Sequence, residues 1–378
     1  MSRAQVSRTR LRRRLLVVPI VFTILVGAPG SALAMPDDGM TPKSMFLDLG
    51  GVTAEEIAAR VDRICAEHRD PGSDSYIMNV VLVGVLDPSG HLRVEELLAV
   101  LPHVPGGGLT TCFDNVFVGP TQLDPSGTPW KSSADFPGGL EPWCADSLYC
   151  GGIMTPSWRW ANIEANRKAA DVFLAFVDLH FPGVRKTLNW YINYEGYFDW
   201  LGGNMYSSSI SDAYSAYMLE MVRAYNQALR RAGEPPETSS RVVLWSPAYA
   251  NPYYSHTQLQ LNNIRDNMRS VFRNVQTMAA SEGITRGVDW LDMQDKLGQT
   301  DCFSVDCYVE VKRWYDFLTT VDFDQFSFAS LRVNMELFST TIPGPDLNEQ
   351  MARQNFYEAN GIPIGASWEL RFWNTAVQ

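Results

Sequence analysis

Short apolar segments alternate along the chain with amphipathic stretches of helical length, the pattern of repeated βα units around a parallel sheet. The apolar segments predict strands at 44–49, 76–85, 111–118, 187–195, 242–247, 288–294, 329–336 and 362–367. The amphipathic stretches predict helices, clearest at 54–68, 160–180, 211–232, 257–282, 305–319 and 347–360, several of them closed by Gly or Pro. Eight strands with helical connections is the count of a single (β/α)8 TIM barrel, an α/β fold, and 378 residues suffice for it. A two-domain cut near Gly151 would leave three lone strands in the first half.

One stretch interrupts the alternation. Residues 119–157 are rich in Pro, Gly and Ser and carry Cys144 and Cys150. A loop of this length inside a compact domain marks a functional excursion or a misplaced strand. Because it follows the third strand, it is expected on the face where barrels keep their active sites, as a disulfide-stapled wall of a cleft.

The chain begins with an arginine-rich segment, an apolar run from Leu15 to about Val26, and Ser31-Ala-Leu-Ala34. These are the basic, apolar and cleavage regions of a secretory signal peptide, so residues 1–34 are expected to be removed on export, leaving 35–378 as the barrel. An uncleaved anchor is the rival, but the run contains Pro19, breaks at Gly27-Ala-Pro-Gly30 and is short for a span of about 20 residues. The triple arginine permits either a general or a twin-arginine route. The expected location is extracellular, with no stable membrane insertion after cleavage.

Charge sharpens the picture. The whole chain carries −11, but the first 34 residues hold six arginines and no acid, leaving 25 of the 31 basic residues against 42 acidic ones, or −17. Such a surface repels phosphate backbones, so nucleic acid is not an expected partner. Six cysteines in an exported protein point to disulfides, and the simplest of the 15 possible pairings has Cys144 with Cys150 and Cys302 with Cys307 as local staples and Cys65 with Cys112 as a longer bridge. A zinc site would need closer Cys or His clustering than the sequence offers, so neither a metal nor a cofactor is expected.

In a barrel, the C-terminal ends of the strands converge on one cavity, and here they are acidic and aromatic. The first strand ends in Asp48, the fourth reads Trp190-Tyr-Ile-Asn-Tyr-Glu195, the fifth gives Trp245, the sixth Asp292-Met-Gln-Asp295, the seventh Arg332-Val-Asn-Met-Glu336 and the eighth Ser367-Trp368-Glu369. Period-two alternation places Asn193 with Glu195, and Arg332 and Asn334 with Glu336, on the inward face. Two carboxylates across a cavity suit glycoside hydrolysis, one protonating the leaving oxygen and the other attacking the anomeric carbon or activating water. A separation of about 5 Å would give retention and about 6.5–9.5 Å inversion. The competing reading pairs both glutamates with Arg332 or Arg371 in a structural network. The crowd of Trp and Tyr at the strand ends, including Tyr197 and Trp245, favours a sugar cleft, because aromatic faces cover sugar C–H faces while Asp, Asn and Gln meet hydroxyls.

These residues resemble a known group. Glutamates ending strands four and seven, with a tryptophan ending strand eight, look like the clan A retaining glycoside hydrolases. W-Y-I-N-Y-E at 190–195, D-M-Q-D-K-L-G at 292–298 and L-R-V-N-M-E-L-F at 331–338 resemble the blocks of a bacterial family of glycoside-hydrolase-like barrels of unknown function. The resemblance spans 187–369, about half the chain. It implies Glu195 as acid/base, Glu336 as nucleophile and Trp368 as a sugar platform, with Gln294 and Asp295 lining the pocket. The clan usually places Asn directly before the acid/base, whereas Tyr194 takes that slot here.

The sequence thus points to a secreted, monomeric glycoside hydrolase acting on an oligo- or polysaccharide, with Glu195 and Glu336 catalytic and Asp48, Asn193, Tyr197, Trp245, Gln294, Asp295, Asn334 and Trp368 binding substrate. Glu336 is expected to be the better hydrogen-bonded carboxylate, through Arg332 or Asn334. A catalytically inactive carbohydrate-binding barrel would show the same aromatics and is the alternative. No histidine pair of metallohydrolase type, no G-x-S-x-G, no P-loop and no G-x-G-x-x-G is present.

Overall fold

The computed structural model describes residues 44–50, 52–67, 77–87, 89–119, 156–194, 207–234, 241–247, 257–283, 287–300, 302–321, 330–336 and 347–368. The chain divides into two units, Met1–Ala34 and Met35–Gln378, and every described residue belongs to the second. The predicted leader, residues 120–155 of the excursion, Cys144 and Cys150 lie outside the described residues.

Eight parallel strands close into one barrel in chain order: β1 Ser44–Asp48, β2 Asn79–Val83, β3 Asn115–Val118, β4 Leu188–Ile192, β5 Val243–Trp245, β6 Trp290–Gln294, β7 Ser330–Glu336 and β8 Ile364–Trp368. β8 closes on β1 through Ser44 opposite Ala366 and Met45 opposite Ser367. The fold is therefore the single TIM barrel that the alternation predicts. Helices α1 Ala54–Glu67, α3 Pro156–His180, α4 Ser207–Arg231, α5 Gln258–Ser281, α7 Val305–Thr319 and α8 Leu347–Ala359 match the amphipathic stretches. Two short ones, α2 Val94–Val100 and α6 Leu297–Thr300, are additions that periodicity over so few residues does not announce.

Local chemistry fixes the helix starts. Thr53 Oγ1 accepts from Glu56 N while Glu56 Oε2 accepts from Thr53 N, and Thr257 with Gln260 repeats the arrangement before α5. Each reciprocal cap satisfies two backbone donors that the first turn leaves open.

Strand alternation then splits the apolar residues into two cores. Met45, Leu47, Val80, Leu82, Val116, Val118, Trp190, Ile192, Val243, Trp245, Leu291, Met293, Val333 and Met335 point outward into the layer under the helices. Phe46, Val81, Val83, Phe117, Tyr191, Leu244 and Trp290 point inward and fill the lumen. Gly119 makes room for that filling, since a Cβ there would stand 2.4 Å from the Tyr191 ring.

Two of the expected disulfides are present among the described residues. Cys65 with Cys112 ties the end of α1 to the segment entering β3, and Cys302 with Cys307 staples the turn into α7. Helices run antiparallel to their strands, so the first bridge sits at the N-terminal end of the barrel, away from the strand C-termini.

Candidate active site

The C-terminal halves of β6 and β7 carry the lumen's concentration of charge. They pair in register as Asp292 opposite Arg332 and Gln294 opposite Asn334. Because Leu291, Met293, Val333 and Met335 take the outward face, Asp292, Gln294, Arg332, Asn334 and Glu336 fall on the inward one. Arg332 grips Asp292 with two hydrogen bonds, Nε to Oδ1 at 2.9 Å and Nη2 to Oδ2 at 3.2 Å, and its guanidinium lies 4.6 Å over the Trp290 ring. Removed from water, this pair is held by its bidentate geometry. Gly365 is the space it needs: a Cβ there would fall 2.4 Å from Arg332 Nε and 2.6 Å from Asp292 Oδ1. The register of β7 and β8 slips at this level, where Val333 faces Ile364 but Asn334 faces Ala366.

Above the ion pair, a relay of hydrogen bonds orients two amides. Ser246 donates from Oγ to the Asp292 carbonyl at 2.6 Å, so its oxygen must accept, and Asn334 Nδ2 donates to it at 2.8 Å. Gln294 Nε2 donates to the Ser246 carbonyl at 2.9 Å. Both amide nitrogens are thereby fixed by acceptors. Gln294 Oε1 and Asn334 Oδ1 are left buried with no hydrogen-bond partner.

Glu336, the last residue of β7, is 2% exposed, and Lys296 Nζ stands 3.4 Å from its Oε1. Beneath the pair lies Asp295, fully buried and supplied with donors. Its Oδ1 accepts from Leu297 N at 3.2 Å and Glu336 N at 3.1 Å; its Oδ2 accepts from Arg353 Nη1 at 3.0 Å and the Tyr357 hydroxyl at 2.9 Å. Arg353, from α8, also donates from Nη2 to the Glu336 carbonyl at 2.8 Å. Burial disfavours the Arg353 charge, yet Asp295, aided by Tyr357, Tyr308 and Glu336, carries its pKa above the ordinary guanidinium value.

The predicted site residues separate under this geometry. Glu336, Gln294 and Asn334 come together on adjacent strand ends. Asn193 is buried one residue beyond β4, and alternation sets it on the inward face of Tyr191. Asp48 ends β1, where its Oδ1 accepts from Gly50 N at 2.9 Å and caps the turn. Trp368 stands opposite Glu336 in the β7–β8 register. Glu195 and Tyr197 lie outside the described residues.

Three expectations are corrected. Trp245 is not a cleft residue: it shares the outward face of Val243, donates from Nε1 to the Tyr194 carbonyl at 2.8 Å and packs edge-on against Tyr214 and Phe272. Asp295 faces protein donors on both oxygens rather than an open pocket. Neither Arg332 nor Asn334 serves Glu336; they are engaged by Asp292 and Ser246, and among the described residues the cation paired with Glu336 is Lys296. Tyr194 also turns outward, against Tyr214 and Tyr217, where burial, with the Tyr214 hydroxyl, pushes its phenol pKa well above the usual value.

Lys296 lies inside the 292–298 block and Ser246 follows Trp245 at the end of β5, but spacing assigns neither a role, and it leaves Arg353 and Tyr357 outside the expected site. Arg353 and Tyr357 carry the one available signal, a basic and an aromatic residue four apart on one face of the last helix. The described residues contain one grouping with metal-ligand spacing, Cys65, His103 and Cys112, but its two cysteines are bonded to each other. None of the helices among the described residues is long and apolar enough to cross a membrane.

The barrel is similar to the crystal structure of a glycoside hydrolase family 5 enzyme from Prevotella bryantii, at 8% identity and a TM-score of 0.43, over 86% of this chain and 87% of that one. A likeness at that level carries no argument, and the barrel rests on the closed strand order described above. No protein-family model and no curated protein matches the sequence.

Proposed function

We propose that the protein is a secreted glycoside hydrolase that cleaves an extracellular or cell-wall glycan by retention, with Glu336 as nucleophile and Glu195 as acid/base. The observation that carries this reading is the Glu336 carboxylate, buried at the C-terminal end of β7 beside a cation, where barrels perform their chemistry. Glu336 attacks the anomeric carbon and forms a glycosyl ester as Glu195 gives its proton to the leaving oxygen. Glu195 then takes a proton from water, which displaces Glu336 with net retention. The buried oxygens of Gln294 and Asn334, which have no hydrogen-bond partner, add acceptor capacity to the same wall as Glu336. Disulfides suit an exported chain.

One observation favours the second reading, a carbohydrate-binding barrel without catalysis. Tyr194 holds the slot directly before Glu195 with its ring locked outward, so that slot supplies no amide to the pocket. Release of reducing ends from a panel of bacterial and plant polysaccharides separates the two. Hydrolysis by the mature chain that is lost in both Glu195→Gln and Glu336→Gln supports the enzyme; binding without any release supports the binding barrel.

A further inference from the structure

From mid-strand to their C-terminal ends, β6 and β7 and the turn after β6 bury three carboxylates, each with a cation: Asp292 with Arg332, Asp295 with Arg353, Glu336 with Lys296. The first two pairs are closed by direct hydrogen bonds of 2.9–3.2 Å and hold the wall together. The third is looser, at 3.4 Å, and it contains the carboxylate assigned to nucleophilic attack.

Lys296 is where it is through backbone effort. Its φ is +58°, the left-handed region, and it is the one residue other than glycine with positive φ among the described residues. An L residue with a long side chain adopts that conformation only when its surroundings over-determine it. Asp295 supplies the constraint. Its Oδ1 accepts from Leu297 N, closing a turn around Lys296, and from Glu336 N, so one carboxylate oxygen holds the backbone on both sides of the pair. Asp295 in turn is clamped by Arg353 and Tyr357. The left-handed turn re-aims a side chain that would otherwise follow the alternation of β6, and Lys296 is left 4% exposed against β7.

We infer that Lys296 is a positioning residue for Glu336, keeping its carboxylate ionised and fixed toward the reacting carbon; this rests on the glycosidase reading above. A cation within about 4 Å favours the ionised carboxylate, the form a nucleophile needs before attack. Among the described residues, the other charged or titratable groups around the pair are Asp292 from β6, Asp295 just beyond it, Arg332 from β7, Tyr308 from α7, and Arg353 and Tyr357 from α8, with Glu349 of α8 acting on Tyr308. Arg332 and Arg353 are committed to the two aspartates, so Lys296 is the cation assigned to Glu336 among them.

The test compares Lys296→Met, Lys296→Arg and Lys296→Gly in the mature chain. Gly accepts the left-handed backbone without strain, so it removes the side chain while sparing the turn. Two readouts are taken: the pH profile of kcat/KM on the glycan that the wild type hydrolyses, and the titration of the Glu336 carboxyl by carbon NMR, identified as the signal missing in Glu336→Gln. In Met and Gly the acid limb of the profile, and the Glu336 titration with it, move up by about one pH unit or more. kcat falls about tenfold or more at neutral pH with KM little changed, and Arg restores most of it. An unmoved Glu336 titration in both Met and Gly overturns the inference. A wild type that hydrolyses nothing overturns the glycosidase reading instead, while the titration still decides whether Lys296 sets the ionisation of Glu336.

Discussion

The two sides of the barrel lumen are built for different purposes. At mid-height β1 to β4 present Phe46, Val81, Val83, Phe117 and Tyr191, interlocked with edge contacts such as Phe46 on Tyr191 at 5.1 Å. At the same level and above, β6 and β7 present Asp292, Gln294, Arg332, Asn334 and Glu336. The first side is a plug whose contribution is burial; the second is a set of ion pairs and amides whose desolvation must be offset contact by contact. A barrel can concentrate polar groups on one wall only because the opposite wall is closed by rings. Chemistry and stability should therefore separate by side when each is damaged.

The sharpest separation comes from Glu336→Gln against Phe117→Ala. The first is expected to lower glycan hydrolysis by at least about 10³-fold while folding stays cooperative, because Gln keeps the shape of Glu and an acceptor oxygen for Lys296, unlike the apolar replacement of Asp292 below. The second is expected to cost about 3–5 kcal/mol of stability, read from urea denaturation, with kcat/KM per folded molecule little changed. Loss of activity in both, or of stability in both, would break the division. Within the polar wall, Asp292→Leu leaves Arg332 buried without its carboxylate and is expected to cost about 3–5 kcal/mol, whereas Asp292→Leu with Arg332→Met recovers most of it. An additive double variant in the denaturation cycle would show that the pair is not coupled.

The same two walls explain what was legible in the sequence. All eight strands were readable, because a parallel barrel strand is a short apolar run bracketed by turn residues and helices. Its two faces were not, because strands such as Val243-Leu-Trp245 are buried on both sides and lose their alternation. Trp245 was consequently assigned to the cleft. The polar wall was better marked, since Arg332, Asn334 and Glu336 recur at period two and only the lumen accommodates them. What no spacing could report is the left-handed backbone at Lys296, which depends on an aspartate held from a helix some sixty residues further along the chain. The partner of Glu336 was misassigned for that reason.

Cross-links offer a smaller contrast, because one disulfide ties each side. Cys65–Cys112 joins residues 47 apart around β2, and Cys302–Cys307 residues 5 apart beside β6. Loop-closure entropy gives about 4 kcal/mol for the first and about 2 kcal/mol for the second. Replacing each pair by serine should lower stability in that order, measured as the shift in urea midpoint at constant slope.

The smallest expected effect concerns the outer layer behind β4. Tyr194, Tyr217 and Tyr225 are fully enclosed there, and burial raises the pKa of all three, with Tyr214 adding to it at Tyr194. In the unfolded chain the same phenols lose their protons near pH 10. Above that pH the folded state binds more protons than the unfolded state, so stability falls as pH rises. Below about pH 10 the contribution of the three phenols is complete and flat. The thermal midpoint should therefore be steady with respect to these groups up to about pH 10 and decline beyond it, with a shallower decline in Tyr217→Phe, which has no proton to lose. Because the shifts of these phenols involve neither Asp292 nor Arg332, the decline should be unchanged in the Asp292→Leu, Arg332→Met double variant. A decline that flattens in that variant instead would place the alkaline sensitivity on the polar wall.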